Sequence, residues 1–289
     1  MFFERRIETT NEKNFFMFSL NPIGIFDSGV GGLSVLREIR TLMPNENIIY
    51  FGDQIHVPYG ARSMEQIQNF SEGITKFLLN HNSKIIVVAC NTASAAALKY
   101  LRETFPDIQF VGMEPAVKPA AEKTQTKRVG VLATPATFQG ALYASVVERF
   151  ASDVEIFQNT CSGLVNQIEA GELDTSKTRA ILEDALLPML ENNIDTVVLG
   201  CTHYPFVIPL IEQIVGDNVR VIDPAPAVAK QTQRLLEAKG LRNLSNENGL
   251  VIFFTSGDVK SNENVVSKLI DEKIEIKSVT WKNDCEIAT

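Results

Sequence analysis

Two short stretches constrain this chain more than anything else in it: KIIVVACNTAS at 84 to 94 and TVVLGCTHYP at 196 to 205. Each is an apolar, largely β-branched run that ends in Cys followed by a small polar residue, and such runs read as buried strands of a parallel sheet. Cys90 and Cys201 then stand at strand C-termini. In open α/β sheets that edge is where ligands bind, so both thiols fall where chemistry is done, and together they suggest a pair of sulfurs facing one substrate.

The rest of the chain supplies a matching frame. From Pro22 onward apolar strands (IGIF at 23 to 26, IIYFG at 48 to 52) alternate with helical stretches from about 31 and from 63 to 80, the rhythm of an α/β fold with helices on both sheet faces. VGVLATPAT at 129 to 137 restates the opening as strand, hydroxyl-bearing turn and helix, and the interval from Ile23 to Val129 nearly equals that from Cys90 to Cys201. The expected architecture is two pseudo-symmetric lobes of mainly parallel sheets flanked by helices, with the active site in the cleft between them. Residues 22–113 plus 224–289 form the first lobe, 114–223 the second, and 1–21 a poorly ordered extension. Within the closing segment a helix spans Pro224 to about Lys239, LVIFF is a strand, and a helix covers about 258 to 271.

Several side chains stand out by position. Asp27 ends the first strand, where a carboxylate lines a cleft rather than a core, because an unpaired buried charge is unfavourable. The DSGVGG turn at 27 to 32 allows close backbone approach to a ligand, although a glycine-rich βα turn without a full nucleotide motif is by itself a weak signal. In DQIHVPYG, 53 to 60, Tyr59 offers a hydroxyl and Gly60 an accessible backbone. Asn91 and Thr92 are good caps for the helix after Cys90, whose N-terminus holds a carboxylate and lowers a neighbouring thiol's pKa. His203, two positions past Cys201, favours a thiolate there. His56 and His81 read as surface residues, Glu169 by default as a solvated carboxylate, and Cys161 and Cys285 as small hydrophobes.

Composition narrows the class of function. A formal charge of −8 with scattered Lys and Arg leaves no basic footprint for nucleic acid. Four cysteines without a CxxC pair indicate neither a disulfide framework nor a zinc site, and a reducing cytoplasm is the expected location. The first 21 residues lack both a membrane-length apolar run and a cleavage site, so neither signal peptide nor membrane span is expected, and Met17 offers an alternative start.

A single Cys with His is a nucleophile and needs no partner thiol, so a one-thiol hydrolase stands as one reading. Two thiols on opposite faces of one carbon do something else. One removes a proton, the other returns one from the far side, and the stereocentre inverts, provided that one begins as thiolate and the other as thiol.

FDSGVGGLSVL (26 to 36), VPYG (57 to 60), ACNTASA (89 to 95) and GCTHYP (200 to 205) together resemble the signature set of the glutamate racemases, in the cofactor-independent aspartate/glutamate racemase superfamily. The likeness runs from Ile23 to about Gly257, including TSGD at 255 to 258. It implies a cytoplasmic isomerase that interconverts L- and D-glutamate for peptidoglycan, and so for cell-wall biogenesis and cell shape, without pyridoxal phosphate or metal. By the resemblance Cys90 and Cys201 are the two bases, Asp27 assists the Cys90 side, and His203 with Glu169 the Cys201 side. Ser28, Tyr59, Gly60, Asn91, Thr92, Thr134, Thr137 and Thr202, with Asp27 and His203, bind the substrate. The family often has a glycine-rich turn with paired threonines where this chain has ATPAT, and Glu169 rests on the short stretch CSGLVNQIEAG. A relative acting on aspartate, and a binding or regulatory protein on the same scaffold, are the alternatives. The resemblance leaves room for a homodimer and for an allosteric cell-wall precursor ligand.

Overall fold

The computed structural model describes residues 18–272 and 274–288; the expectations for residues 1 to 17, Met17 among them, lie outside the described residues. The first four strands are β1 (Ile23–Asp27), β2 (Ile48–Gly52), β3 (Ile85–Val88) and β4 (Phe110–Gly112). All but the last residue of β4 are buried, which is why their sequences are continuous apolar runs rather than alternating ones. Between them lie α1 (Leu33–Leu42), α2 (Met64–Asn80) and α3 (Asn91–Thr104). Ser63 caps α2 in a reciprocal box with Gln66, which fixes its start.

After α4 (Val117–Lys123) the pattern restarts with β5 (Arg128–Ala133), α5 (Pro135–Gln139), α6 (Ala141–Phe150) and β6 (Glu155–Asn159). It continues with α7 (Leu164–Glu169), α8 (Ser176–Glu191), β7 (Thr196–Gly200), α9 (Ile208–Val215) and β8 (Arg220–Ile222). Then α10 (Ala225–Ala238), β9 (Val251–Thr255), α11 (Val259–Leu269) and β10 (Glu275–Ser278) lead to an antiparallel hairpin, β11 (Thr280–Asn283) and β12 (Glu286–Ala288).

Among the described residues the two main sheets are wholly parallel, with orders β10-β9-β2-β1-β3-β4 and β6-β5-β7-β8. The arrangement β2-β1-β3-β4 recurs as β6-β5-β7-β8, so β3 and β7, which lead into Cys90 and Cys201, occupy equivalent places. This is the two-lobed α/β fold expected from the strand runs. One apolar cluster joins Ile23, Leu33 and Val87 of the first lobe to Leu132, Leu164 and Leu199 of the second, which makes the lobes a packed pair.

Three expectations are corrected, and one unassigned segment is filled in. Cys90, not Asn91 or Thr92, caps α3, and Asn91 is its first helical residue. His56 stacks on Phe70 at a centroid distance of 3.9 Å, and His81 Nδ1 donates to the Phe77 carbonyl at 2.8 Å, so neither is a plain surface residue. Residues 18 to 21 are tied down: Lys84 Nζ donates to the Ser19 carbonyl at 2.5 Å and Asn47 Nδ2 to the Leu20 carbonyl at 2.8 Å. The tail beyond residue 271, to which the sequence reading assigned no element, carries β10 and the hairpin.

Candidate active site

The C-terminal ends of β1, β3 and β7 meet where the two lobes face each other. Cys90 is 4% exposed; its Sγ accepts from Ala93 N at 3.4 Å and donates to Ser28 Oγ at 3.9 Å. Burial pushes the Cys90 thiol well above its usual range, and the neighbouring Asp27 carboxylate and Cys201 sulfur push it further, against the pull of the Ala93 N–H. The α3 N-terminus does lower this pKa, as expected, but loss of water outweighs that one backbone contact and the net shift is upward. Asp27 is fully buried but paired: Oδ2 accepts from Gly29 N and Oδ1 from Thr202 Oγ1, each at 3.2 Å, the second across the lobe boundary.

Cys201 stands opposite in the topology, 5% exposed, with His203 Nδ1 at 3.7 Å from its Sγ. His203 Nε2 meets Glu169 Oε1 at 2.5 Å. Burial disfavours the imidazolium, yet the contacts with Cys201 and Glu169 outweigh it and hold His203 well above its ordinary value. Glu169 is likewise buried, which opposes its charge, but His203, Gln54 and the Val30 N–H keep it below the usual carboxylate range. Glu169 is thus no solvated carboxylate. Its place at the end of α7 gave no such signal, since a buried partner 34 residues away is invisible locally.

The glycine turn also packs against the opposite lobe. A Cβ on Gly29 would stand 2.0 Å from Glu169 Oε1, and one on Gly31 2.4 Å from His203 Nδ1. What these glycines admit is the acid–base pair of the opposite lobe.

The hydroxyl groups divide into two sets. Thr92 of the first lobe and Thr134 of the second bond at 3.0 Å, and Thr134 bonds Thr137 at 3.0 Å, while Gly60 packs with its α-carbon facing Thr134. Tyr59 is drawn away from this group, its hydroxyl donating to Asp53 Oδ2 at 2.7 Å. Asn91 is 4% exposed, and neither its Oδ1 nor its Nδ2 has a protein partner. An amide buried at the thiol's side with both ends unpaired is suited to receive a ligand carboxylate or ammonium. Among the described residues no group of three or more His, Cys, Asp or Glu is arranged to hold a metal ion.

Residues 23–232 match the family described as Asp/Glu/Hydantoin racemase. The chain belongs to that family. This racemase is 46% identical over 252 residues to the glutamate racemase of Roseiflexus sp. (strain RS-1), covering 87% of this chain and 93% of that one. It superposes on the Francisella tularensis glutamate racemase in complex with D-glutamate with a TM-score of 0.80 and 31% identity, over 91% and 98% of the two chains. With the Escherichia coli glutamate racemase in complex with L-glutamate and activator UDP-MurNAc-Ala the TM-score is 0.78 and the identity 33%, over 89% and 97%. It is an isomerase, and the resemblance drawn from the four motifs stands.

Reading the sequence for site residues of this racemase missed Gln54, Ser34 and Asp53. Ser34 Oγ donates to the Thr202 carbonyl at 2.9 Å, and Asp53 gathers the loop around Tyr59. Asp53 and Gln54 follow β2 directly, so the sheet-edge rule that singled out both cysteines also pointed to them. No helix among the described residues is long and apolar enough to cross a membrane.

Proposed function

We propose that this protein interconverts L- and D-glutamate by a two-base mechanism in which Cys90 and Cys201 exchange protons with opposite faces of the α-carbon. The observation that carries the reading is the equivalence of the two thiols. Each follows the third strand of a β2-β1-β3-β4 unit, and each has its own acid–base neighbours, Asp27 and Ser28 for Cys90, His203 and Glu169 for Cys201.

The step balances without an outside reagent. In this reading Cys90 begins as the thiol and Cys201 as the thiolate, its proton held by the neighbouring His203, which Glu169 supports as the imidazolium. The Cys201 sulfur takes the α-proton, the C–H electron pair passes to the α-carbon and its carboxylate, and the Cys90 S–H delivers a proton to the other face. Configuration is inverted, and the thiols have exchanged protonation states, ready for the reverse direction. Charge developing on the carboxylate calls for oriented donors, and Asn91, Thr92, Thr134, Thr137, Thr202, Ser28 and the Gly60 backbone are assigned to that task. Tyr59 contributes by shaping the loop that carries Gly60.

The relatives named for glutamate support this substrate, and the Escherichia coli complex supports a cell-wall precursor as an allosteric ligand. In this reading the product D-glutamate feeds peptidoglycan synthesis in the cytoplasm. The test is incubation with L-glutamate in D₂O without added cofactor. Optical rotation decays to zero as deuterium enters Cα, and Cys90→Ser or Cys201→Ser lowers the rate by about 10²–10⁴-fold. Ammonia release, or turnover of aspartate in place of glutamate, sinks the assignment.

A further inference from the structure

A relay of side-chain amides reaches the Cys201 side from a region beyond the family match, which ends at residue 232. Gln54, two residues past β2, donates from Nε2 to Glu169 Oε2 at 3.0 Å and to Asn262 Oδ1 at 2.9 Å. Asn262, on α11 and 4% exposed, donates from Nδ2 to the Asp258 carbonyl at 2.9 Å. The polarity runs one way. The Asp258 carbonyl only accepts, so the Asn262 nitrogen faces it and Oδ1 is left for Gln54. A carboxylate only accepts, so the Gln54 nitrogen faces Glu169.

This arrangement leaves Gln54 Oε1 buried without a partner. An orphaned buried carbonyl is unfavourable, and its persistence indicates that the amide is retained for what its nitrogen holds. Glu169 is thereby gripped on both oxygens, Oε1 by Val30 N and His203 and Oε2 by Gln54, with two of the three donors from the opposite lobe.

We propose that Gln54 and Asn262 are positioning residues that lock Glu169 against His203, so that the imidazole is set on Cys201 only when the two lobes and α11 are packed together. The proposal rests on the acid–base role given above to the Cys201 side. Tyr50 on β2, whose hydroxyl donates to the Gly29 carbonyl, is within the field of Glu169 and of Asp27 on β1, and Lys268 on α11 reaches the Gly171 carbonyl with its Nζ at 3.4 Å. None of these donates to the carboxylate. Gln54 is the side chain from the first lobe that does.

The chain has three histidines, so ¹⁵N-histidine NMR of the full-length protein resolves His203 from His56 and His81. Gln54→Met keeps the length of the side chain and removes the donor. With Glu169 no longer held in place its contact with the imidazole loosens, and the His203 midpoint falls by about one pH unit. In the same variant kcat drops about tenfold and KM stays within about twofold, the pattern of a group acting through the chemistry rather than through binding. Asn262→Ala moves both readouts the same way by less, and serves alone should Gln54→Met fail to fold. An unmoved His203 midpoint with unchanged kcat overturns the proposal. So does a general loss of melting temperature in which all three histidines shift together. A wild-type protein that leaves glutamate untouched defeats the function proposed above, whereas the His203 titration still decides the role of Gln54.

Discussion

His203 Nδ1 and the α-carbon of Gly31 approach so closely across the lobe boundary that a single methyl group on Gly31 would stand 2.4 Å from the ring nitrogen. Real side chains do not tolerate that distance, so either the ring or the turn must move. The same nitrogen faces Cys201 Sγ, so under the proposed two-base mechanism the displacement reaches the reacting thiol as well as the packing.

Gly31→Ala is therefore expected to lower kcat at least about tenfold, since misplacing a catalytic group by an ångström has effects of that order or larger. Overpacking should cost about 1–3 kcal/mol of stability. Steady-state kinetics beside a denaturant titration check both, and wild-type turnover in this variant would show that the close approach is not needed.

Asp53, fully buried at the end of β2, accepts from Tyr59 Oη, His56 Nδ1, Ser256 Oγ and Trp281 Nε1. The last of these, at 2.8 Å, pins the C-terminal hairpin to the loop that carries Gly60. Trp281→Phe keeps most of the aromatic packing and removes the donor. It is expected to destabilise the fold by about 1.5–3 kcal/mol, the worth of a hydrogen bond to a charged group, and to raise KM more than it lowers kcat. Thermal melting and initial-rate measurements with glutamate test this; unchanged melting would mean that the hairpin is held by packing alone.

The His203–Glu169 pair gives stability a defined pH dependence. The folded value of His203 is raised above 6.5, so its contribution is fully present below 6.5 and is lost as pH rises through the folded value. The folded value of Glu169 is lowered from 4.5, so its contribution is present above 4.5 and is lost as pH falls through the folded value. A plot of melting temperature against pH should hold a plateau from about 4.5 to about 6.5 and decline above it until pH passes the folded His203 value. His203→Asn should flatten the alkaline side of that plateau; an alkaline decline that survives the substitution belongs to other groups.

Much of the frame could be read in advance because it rests on local chemistry. β1, β2, β3 and β7 are continuous apolar runs since both sheet faces are covered, and burial on both faces is written residue by residue. The repeat of strand order followed from the spacing of those runs. Their C-terminal edge then located Asp27, Cys90 and Cys201, while Glu169 was reached only through the family likeness.

What the sequence by itself determined is which segments are strands, which edge holds the reactive side chains, and which two thiols are counterparts. What only the tertiary structure decided is how those side chains are set: Gly29 and Gly31 against Glu169 and His203, Gln54 on Glu169 from 115 residues away, and Trp281 on Asp53 from 228. It also decided that the Cys90 thiol is pushed up, because desolvation depends on everything that surrounds the sulfur and outweighs the helix start beside it. The physical reason is the same in each case. Strand formation follows from the burial of neighbours in the chain, whereas a hydrogen bond or a pKa is set by whichever distant groups the fold brings within a few ångströms.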